Sequence, residues 1–256
     1  MSIQTIDVLI FRSYFAWVDT SRYETDIHYK ITSKSRPTGD EIRSAGVVKK
    51  LSLCVILISN MSSPNSEWLA SERGIGFVKY GWLDNINSGK KIAIAKIYLH
   101  PAFDNITGEA DLAIVKLAEE LKLNVVHSWP IELAPYNYTP LPGTVLTVSG
   151  WGAIRDNGPE SDRLRKTNVT VVSPSDCQKM YEKDQQIITQ SMICANNLSQ
   201  KSDSCNGDSG RPLILMNGTV PVQVGIVSFG RKCASPFFPA VYTNVGYYRN
   251  FIEKFL

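Results

Sequence analysis

The chain has 256 residues, 43% of them hydrophobic, which is enough for one large domain or two small ones around a sizeable core. Its net charge of +3 comes from interspersed acids and bases, so no charge run points to nucleic acid or an anionic membrane as a partner. No stretch approaches the ~20 apolar residues of a transmembrane span.

In chain order, Met1 to Asp19 carries an apolar run, Val8 to Phe11, that Arg12 cuts short before it becomes a signal-peptide core, and no small-residue cleavage site follows. Residues 1–26 stay unassigned and are left out of the mechanism: a pro-segment, a remnant strand, or sequence outside the mature protein. From Ile27 the pattern turns to β-structure, with Tyr29 and Ile31 alternating, a polar loop over Thr32 to Lys50, and a continuous apolar run over Leu51 to Ser59 suited to a buried strand. Further strands are expected at Phe77 to Gly81, Ile92 to Leu99 and Asp111 to Leu117. Pro130 to Pro142 reads as a connection. Strands then follow at Gly143 to Gly152, Val169 to Val172, Met192 to Ala195, Val222 to Phe229 and Ala240 to Val245. A short helix is expected over Ser175 to Tyr181 from a serine cap, and a terminal helix over Tyr247 to Leu256 from apolar residues at helical spacing.

The stretch with most chemistry is Asp203-Ser204-Cys205-Asn206-Gly207-Asp208-Ser209-Gly210-Arg211-Pro212-Leu213. Glycines at 207 and 210 permit left-handed or crowded backbone, so that the amides of Gly207 and Ser209 can turn toward one point and stabilise an oxyanion. Asp-Ser-Gly alone reads equally well as a surface turn. A Gly-x-Ser-x-Gly elbow on a strand-to-helix turn fails, because Arg211 holds the last glycine position and Pro212 interrupts a following helix.

With Asp203, Cys205 and Pro212-Leu213 at their offsets, this stretch closely resembles the nucleophile loop of the chymotrypsin/trypsin family. The likeness extends to Asp111-Leu112-Ala113-Ile114-Val115, to Ser149-Gly150-Trp151-Gly152 and to the turn His100-Pro101, and covers residues 27–256, dense after 92. It implies an all-β fold of two packed six-stranded antiparallel Greek-key β-barrels with a C-terminal α-helix. The first barrel would span about 27–125 and be incomplete, the second about 140–245, and the helix 246–256. It further implies a serine endopeptidase with Ser209 as nucleophile, Asp111 as the acid that orients a histidine, and Gly207 and Ser209 as oxyanion donors. Taken alone, Asp111 would read rather as an exposed acid capping a buried strand. In the implied substrate pocket Asp203 forms the base and selects Arg or Lys. Ser228 lies on the strand that pairs with substrate backbone, Gly230 and Ala240 form the walls, and Lys232 adds a charge at the rim. The implied disulfides are Cys177–Cys194 and Cys205–Cys233, which leaves Cys54 unpaired among five cysteines. No metal or cofactor is implied. The expected partners are protein or peptide substrates or protease inhibitors, with no nucleic acid and no membrane, for a monomer. A secreted location is expected although no signal peptide is visible, and sequons at Asn60, Asn105, Asn137, Asn168, Asn197 and Asn217 fit it.

Two departures from the family matter chemically. A serine hydroxyl needs a histidine to take its proton, yet residues 60–81, where that histidine is due, contain none; the three histidines are His28, His100 and His127. As written the chain is therefore expected to be inactive or crippled, whether through a lost block of sequence or as a non-catalytic homologue that serves as a binding module or protease cofactor. The family's activating Ile-Val-Gly-Gly terminus is also missing, so Asp208 is expected to lack its counter-charge and to leave the oxyanion hole zymogen-like. Arg211, in place of a glycine, is expected to affect packing more than chemistry.

Overall fold

A computed structural model describes residues 6–7, 57–58, 77–80, 90–120, 131–199 and 202–256. Cys54, His28, His127 and the strand expected at Tyr29 to Ile31 lie outside these residues. Of residues 60–81, in which the histidine is sought, only 77–80 are described, and of Leu51 to Ser59 only two residues are.

The second half of the chain closes on itself. Strands β7 (Val145–Gly150), β8 (Arg165–Val172), β9 (Met192–Asn196), β10 (Pro212–Asn217), β11 (Val220–Phe229) and β12 (Ala240–Asn244) pair antiparallel in the cyclic order β7-β8-β9-β12-β11-β10. The pairing of β10 with β7 completes a six-stranded barrel and removes its edges. Alternation makes the barrel face: Leu146 and Val148 of β7 and Val169 and Val171 of β8 point inward while their neighbours meet solvent. These side chains join Ile193, Leu213, Val224, Ile226 and Tyr242 in one core. Each fully buried aliphatic contributes about 1.5–3 kcal/mol against conformational entropy. A two-residue strand, β6 (Glu132–Leu133), runs parallel to β11 on the outside.

In the first half, β4 (Lys90–Leu99) lies between β3 (Phe77–Tyr80) and β5 (Ala113–Leu117), and β2 (Leu57–Ile58) adds to β5. The N-terminal segment contributes a strand to this sheet: β1 (Ile6–Asp7) pairs parallel with β3. Leu112, just before β5, and Ile114 within it reach into the same core as the second-half strands, so the two halves share one apolar interior.

Helix α1 (Pro174–Tyr181) starts one residue before the expected Ser175, capped by Ser173, whose hydroxyl oxygen accepts from the Asp176 N–H at 3.1 Å. The proline at the first helical position has no N–H to lose there. The helix buries Cys177 and Tyr181 four residues apart, and Cys177 is bonded to Cys194 of β9. The terminal helix is shorter than the expected 246–256: α2 (Arg249–Ile252) runs on as a 3-10 turn over Glu253–Phe255. Among the described residues no helix is long and apolar enough to cross a membrane.

Candidate active site

The turn that carries Asp111 is tied to the second half of the chain through its backbone and its acids. Thr243 on β12 donates to the Asp111 carbonyl at 2.8 Å, and Gln186 donates to the Thr107 carbonyl at 2.6 Å. Tyr248 and Thr189 donate to the two Glu109 carboxylate oxygens at 2.6 and 2.8 Å. Burial acts to raise the Glu109 carboxyl, but the hydroxyls of Tyr248, Ser191 and Thr189 outweigh it and hold the group below its ordinary value of 4.5. Because the folded value is the lower one, this stabilisation is complete above pH 4.5 and is lost as pH falls through the folded value. Glu109→Gln is therefore expected to lower the melting temperature at pH 7 and to flatten its decline on the acid side, as read by melts from pH 7 to 3. A parallel loss at every pH would contradict it.

Asp111 itself is 4% exposed, and the Ser228 hydroxyl donates to its Oδ2 at 2.6 Å. Ser228 can reach it because β11 is irregular there: Val227 pairs with Tyr242 and Phe229 with Val241, so Ser228 is the extra residue of a bulge. The resemblance implies this serine on the strand that pairs with substrate, and the structure gives its hydroxyl to the acid.

The serine loop is hung on the same strand. Gly210 donates to the Val227 carbonyl and Val227 to the Arg211 carbonyl, both at 2.9 Å, which sets Ser209 beside the strand that carries the Asp111 partner. Gly207 and Gly210 have φ of 89° and 81°, values open to glycine at little cost. Asp208, 8% exposed, folds back under the loop and accepts from the Gly152 N–H at 2.8 Å and the Cys205 N–H at 3.0 Å. This explains the Gly150-Trp151-Gly152 run, because a Cβ on either glycine would land on the Asp208 carboxylate. Gly152→Ala is expected to cost about 2 kcal/mol in urea unfolding, since the acid must move and give up a buried hydrogen bond. An unchanged midpoint would mean that the carboxylate lies elsewhere.

Asp203 precedes the loop, between Cys205, bonded to Cys233, and strand β12. Its Oδ1 accepts from the Ser204 N–H at 2.8 Å and from the Tyr242 hydroxyl at 3.3 Å. Burial pushes its carboxyl up to about 6 against the pull of hydrogen bonds from Ser204, Tyr242 and Ala240. Gly230 and Ala240 stand close together, a Cβ on the glycine falling 3.7 Å from the Ala240 Cα. Lys232 has φ of 66°, a left-handed conformation that a non-glycine residue adopts at a cost.

Against known proteins, the sequence model described as Trypsin matches residues 79–252. The chain belongs to the Trypsin family. Trypsin-1 of the crayfish Astacus astacus is 38% identical over 176 residues, 68% of this chain and 72% of that protein. Trypsin eta of Drosophila melanogaster is 35% identical over 168 residues, and the match spans 61% of that protein's length. Trypsin eta of Drosophila erecta is 29% identical over 241 residues, 92% of this chain and 87% of that protein.

In this Trypsin-family chain Ser228 of β11 holds Asp111, Gly210 and Arg211 hang the serine loop on Val227 of the same strand, and Tyr242 of β12 holds Asp203. His100 is used elsewhere. Its ring packs on Tyr248 and Phe251 at centroid distances of 4.9 and 4.5 Å, and its Nδ1 accepts from the Ala102 N–H at 3.2 Å. Burial, then the charge of Lys254, lower its pKa against the pull of Glu109. Sequence reasoning missed Tyr242 and Thr243 as partners of the two acids. The adjacent Tyr242 and Thr243 point to opposite faces of β12, and nothing in their spacing names a partner for either.

Proposed function

We propose that this Trypsin-family chain recognises arginine- and lysine-type side chains of protein partners through Asp203, and that as written it binds such groups far better than it cleaves beside them. The observation that carries the reading is the state of Asp203: among the described residues every donor to its carboxylate is neutral, and burial already strains its charge. A guanidinium or amidinium relieves that strain by meeting the carboxylate with two parallel charge-assisted hydrogen bonds. Gly230 and Ala240 wall the pocket and Lys232 stands at its rim. Ser209 is the nucleophile position, the N–H groups of Gly207 and Ser209 the oxyanion donors, and Asp111, held by Ser228, the acid that would orient an imidazole. With no histidine in residues 60–81, proton transfer from Ser209 lacks its acceptor. The two disulfides fit a secreted protein.

The test is a fluorescence titration with p-aminobenzamidine, and with benzyl alcohol as a neutral competitor, on this chain and on Asp203→Ser. Binding by the first protein only, undisturbed by the competitor, supports the reading; equal binding by both removes Asp203 from the pocket. Retention of the Asp111–Ser228 contact favours a second reading, an active endopeptidase whose histidine block is missing from this sequence. An Ala-Ala-His-Cys exon in the genomic sequence beside the codons for Ser59 to Arg73 would establish it, and the lack of one would leave the binding module.

A further inference from the structure

Arg211 replaces a family glycine, and the structure does not put it at the surface. It is 5% exposed, with its guanidinium over the Trp151 ring, 4.8 Å from the centroid. Its N–H donates to the Asp208 carbonyl at 2.9 Å, so the two residues close one turn with Ser209 inside it. Their side chains also cross the same glycine: a Cβ on Gly150 would land on Asp208 Oδ1 and fall 3.3 Å from Arg211 Cγ.

The Asp208 carboxylate and the Arg211 side chain thus lie buried against the same glycine under the serine loop. Each alone is costly there. Among the described residues the Asp208 carboxylate accepts from the neutral amides of Gly152 and Cys205, which solvate a charge without cancelling it. A buried guanidinium stacked on an indole likewise calls for an acid within reach.

We propose that Arg211 is the built-in counter-charge of Asp208, a positioning residue that holds the Asp208-Ser209 turn in its ordered form without a free N-terminal ammonium. The inference rests on the reading of residues 203–213 as the serine loop of a Trypsin-family site, and it replaces both the expectation of an uncompensated Asp208 and that of a packing role for Arg211. The electrostatics agree in sign. Burial raises the Asp208 carboxyl, while the Cys205 and Gly152 amides and then the Arg211 charge act to lower it.

The test uses p-aminobenzamidine binding with and without an Ile-Val dipeptide, whose ammonium can enter the cavity of about 610 Å³ beside Gly150, Gly152 and Asp208. The unmodified chain is expected to bind equally with and without dipeptide. Arg211→Met, which keeps the stem but not the charge, is expected to bind roughly tenfold more weakly because its competent state is less populated. The dipeptide should restore it, and Arg211→Lys should stay within a few-fold of the unmodified chain. A dipeptide that strengthens the unmodified chain as much as Arg211→Met, or Arg211→Met binding like the unmodified chain, overturns the proposal.

If the unmodified chain binds no amidine at all, the Asp203 reading fails and the inference is decided by stability instead. A double-mutant cycle of Arg211→Met and Asp208→Asn in urea is expected to depart from additivity by roughly tenfold in the unfolding constant. Additive effects would show that the two charges do not interact and would overturn the proposal independently of any ligand.

Discussion

Turnover of an arginine ester by the purified chain is expected to run about 10⁶-fold below that of a serine protease with a complete triad, and Ser209→Ala is expected to leave the residual rate unchanged. The two halves of this result have one cause. A serine hydroxyl becomes a useful nucleophile only as its proton leaves, and the acceptor must sit within hydrogen-bond reach and be oriented by a third group. In the proposed reading the orienting group is Asp111, held at 2.6 Å by Ser228, but the ring it would orient is absent from residues 60–81. Oxyanion donors and pocket binding still lower the barrier, and their share does not pass through the serine oxygen. The check is a rate assay on protein freed of host proteases. Rates near those of a complete triad, abolished by Ser209→Ala, would require His28 or His127 to serve as the base.

The second large effect is a trade between binding and stability at Asp203. Its folded carboxyl titrates at about 6 instead of 3.8, so the folded protein binds the proton more tightly than the unfolded chain does. A raised acid costs stability as pH climbs from the unfolded to the folded value, and above about 6 the cost is complete, of order 3 kcal/mol. Asp203→Asn removes the charge and keeps an acceptor for the Tyr242 hydroxyl. It is expected to raise unfolding stability at pH 8, to leave it little changed at pH 4, and to weaken amidine binding at pH 8 by about 100-fold. Urea unfolding at the two pH values reads the first part and the titration reads the second. A variant less stable than the parent at pH 8 would show that the carboxylate is compensated by a partner within the protein.

Motif and alternation carried much of the second half of the chain. The patterns of β7, β9, β11 and β12 are written in residues that alternate or run apolar, and the expected bounds fall within a few residues of the observed ones. Strand β8 starts at Arg165, four residues before the expected Val169, because its first residues face solvent and its polar stretch carries no apolar signal. Strand β10 is not among the strands expected from the sequence, where Pro212-Leu213 enters only as the tail of the serine motif. The loop acids were legible as a spacing. Their environments were not, because they are made by residues far apart in the chain: Tyr242 beneath Asp203, and a bulge at Ser228 beside Asp111. Arg211 shows the limit most plainly, since nothing local to Gly210-Arg211-Pro212 announces a stack on Trp151.

The account turns on Asp203 acting as the receptor for a cation, and the pH dependence of p-aminobenzamidine affinity reads that carboxylate directly. The amidinium stays charged over the whole range, so any change in affinity belongs to the protein. Affinity is expected to be flat from pH 8 to 7 and to fall about tenfold by pH 5, one unit below the folded value of about 6. The same affinity at pH 8 and pH 5 would contradict the account, because a ligand indifferent to the protonation of Asp203 does not sit on it.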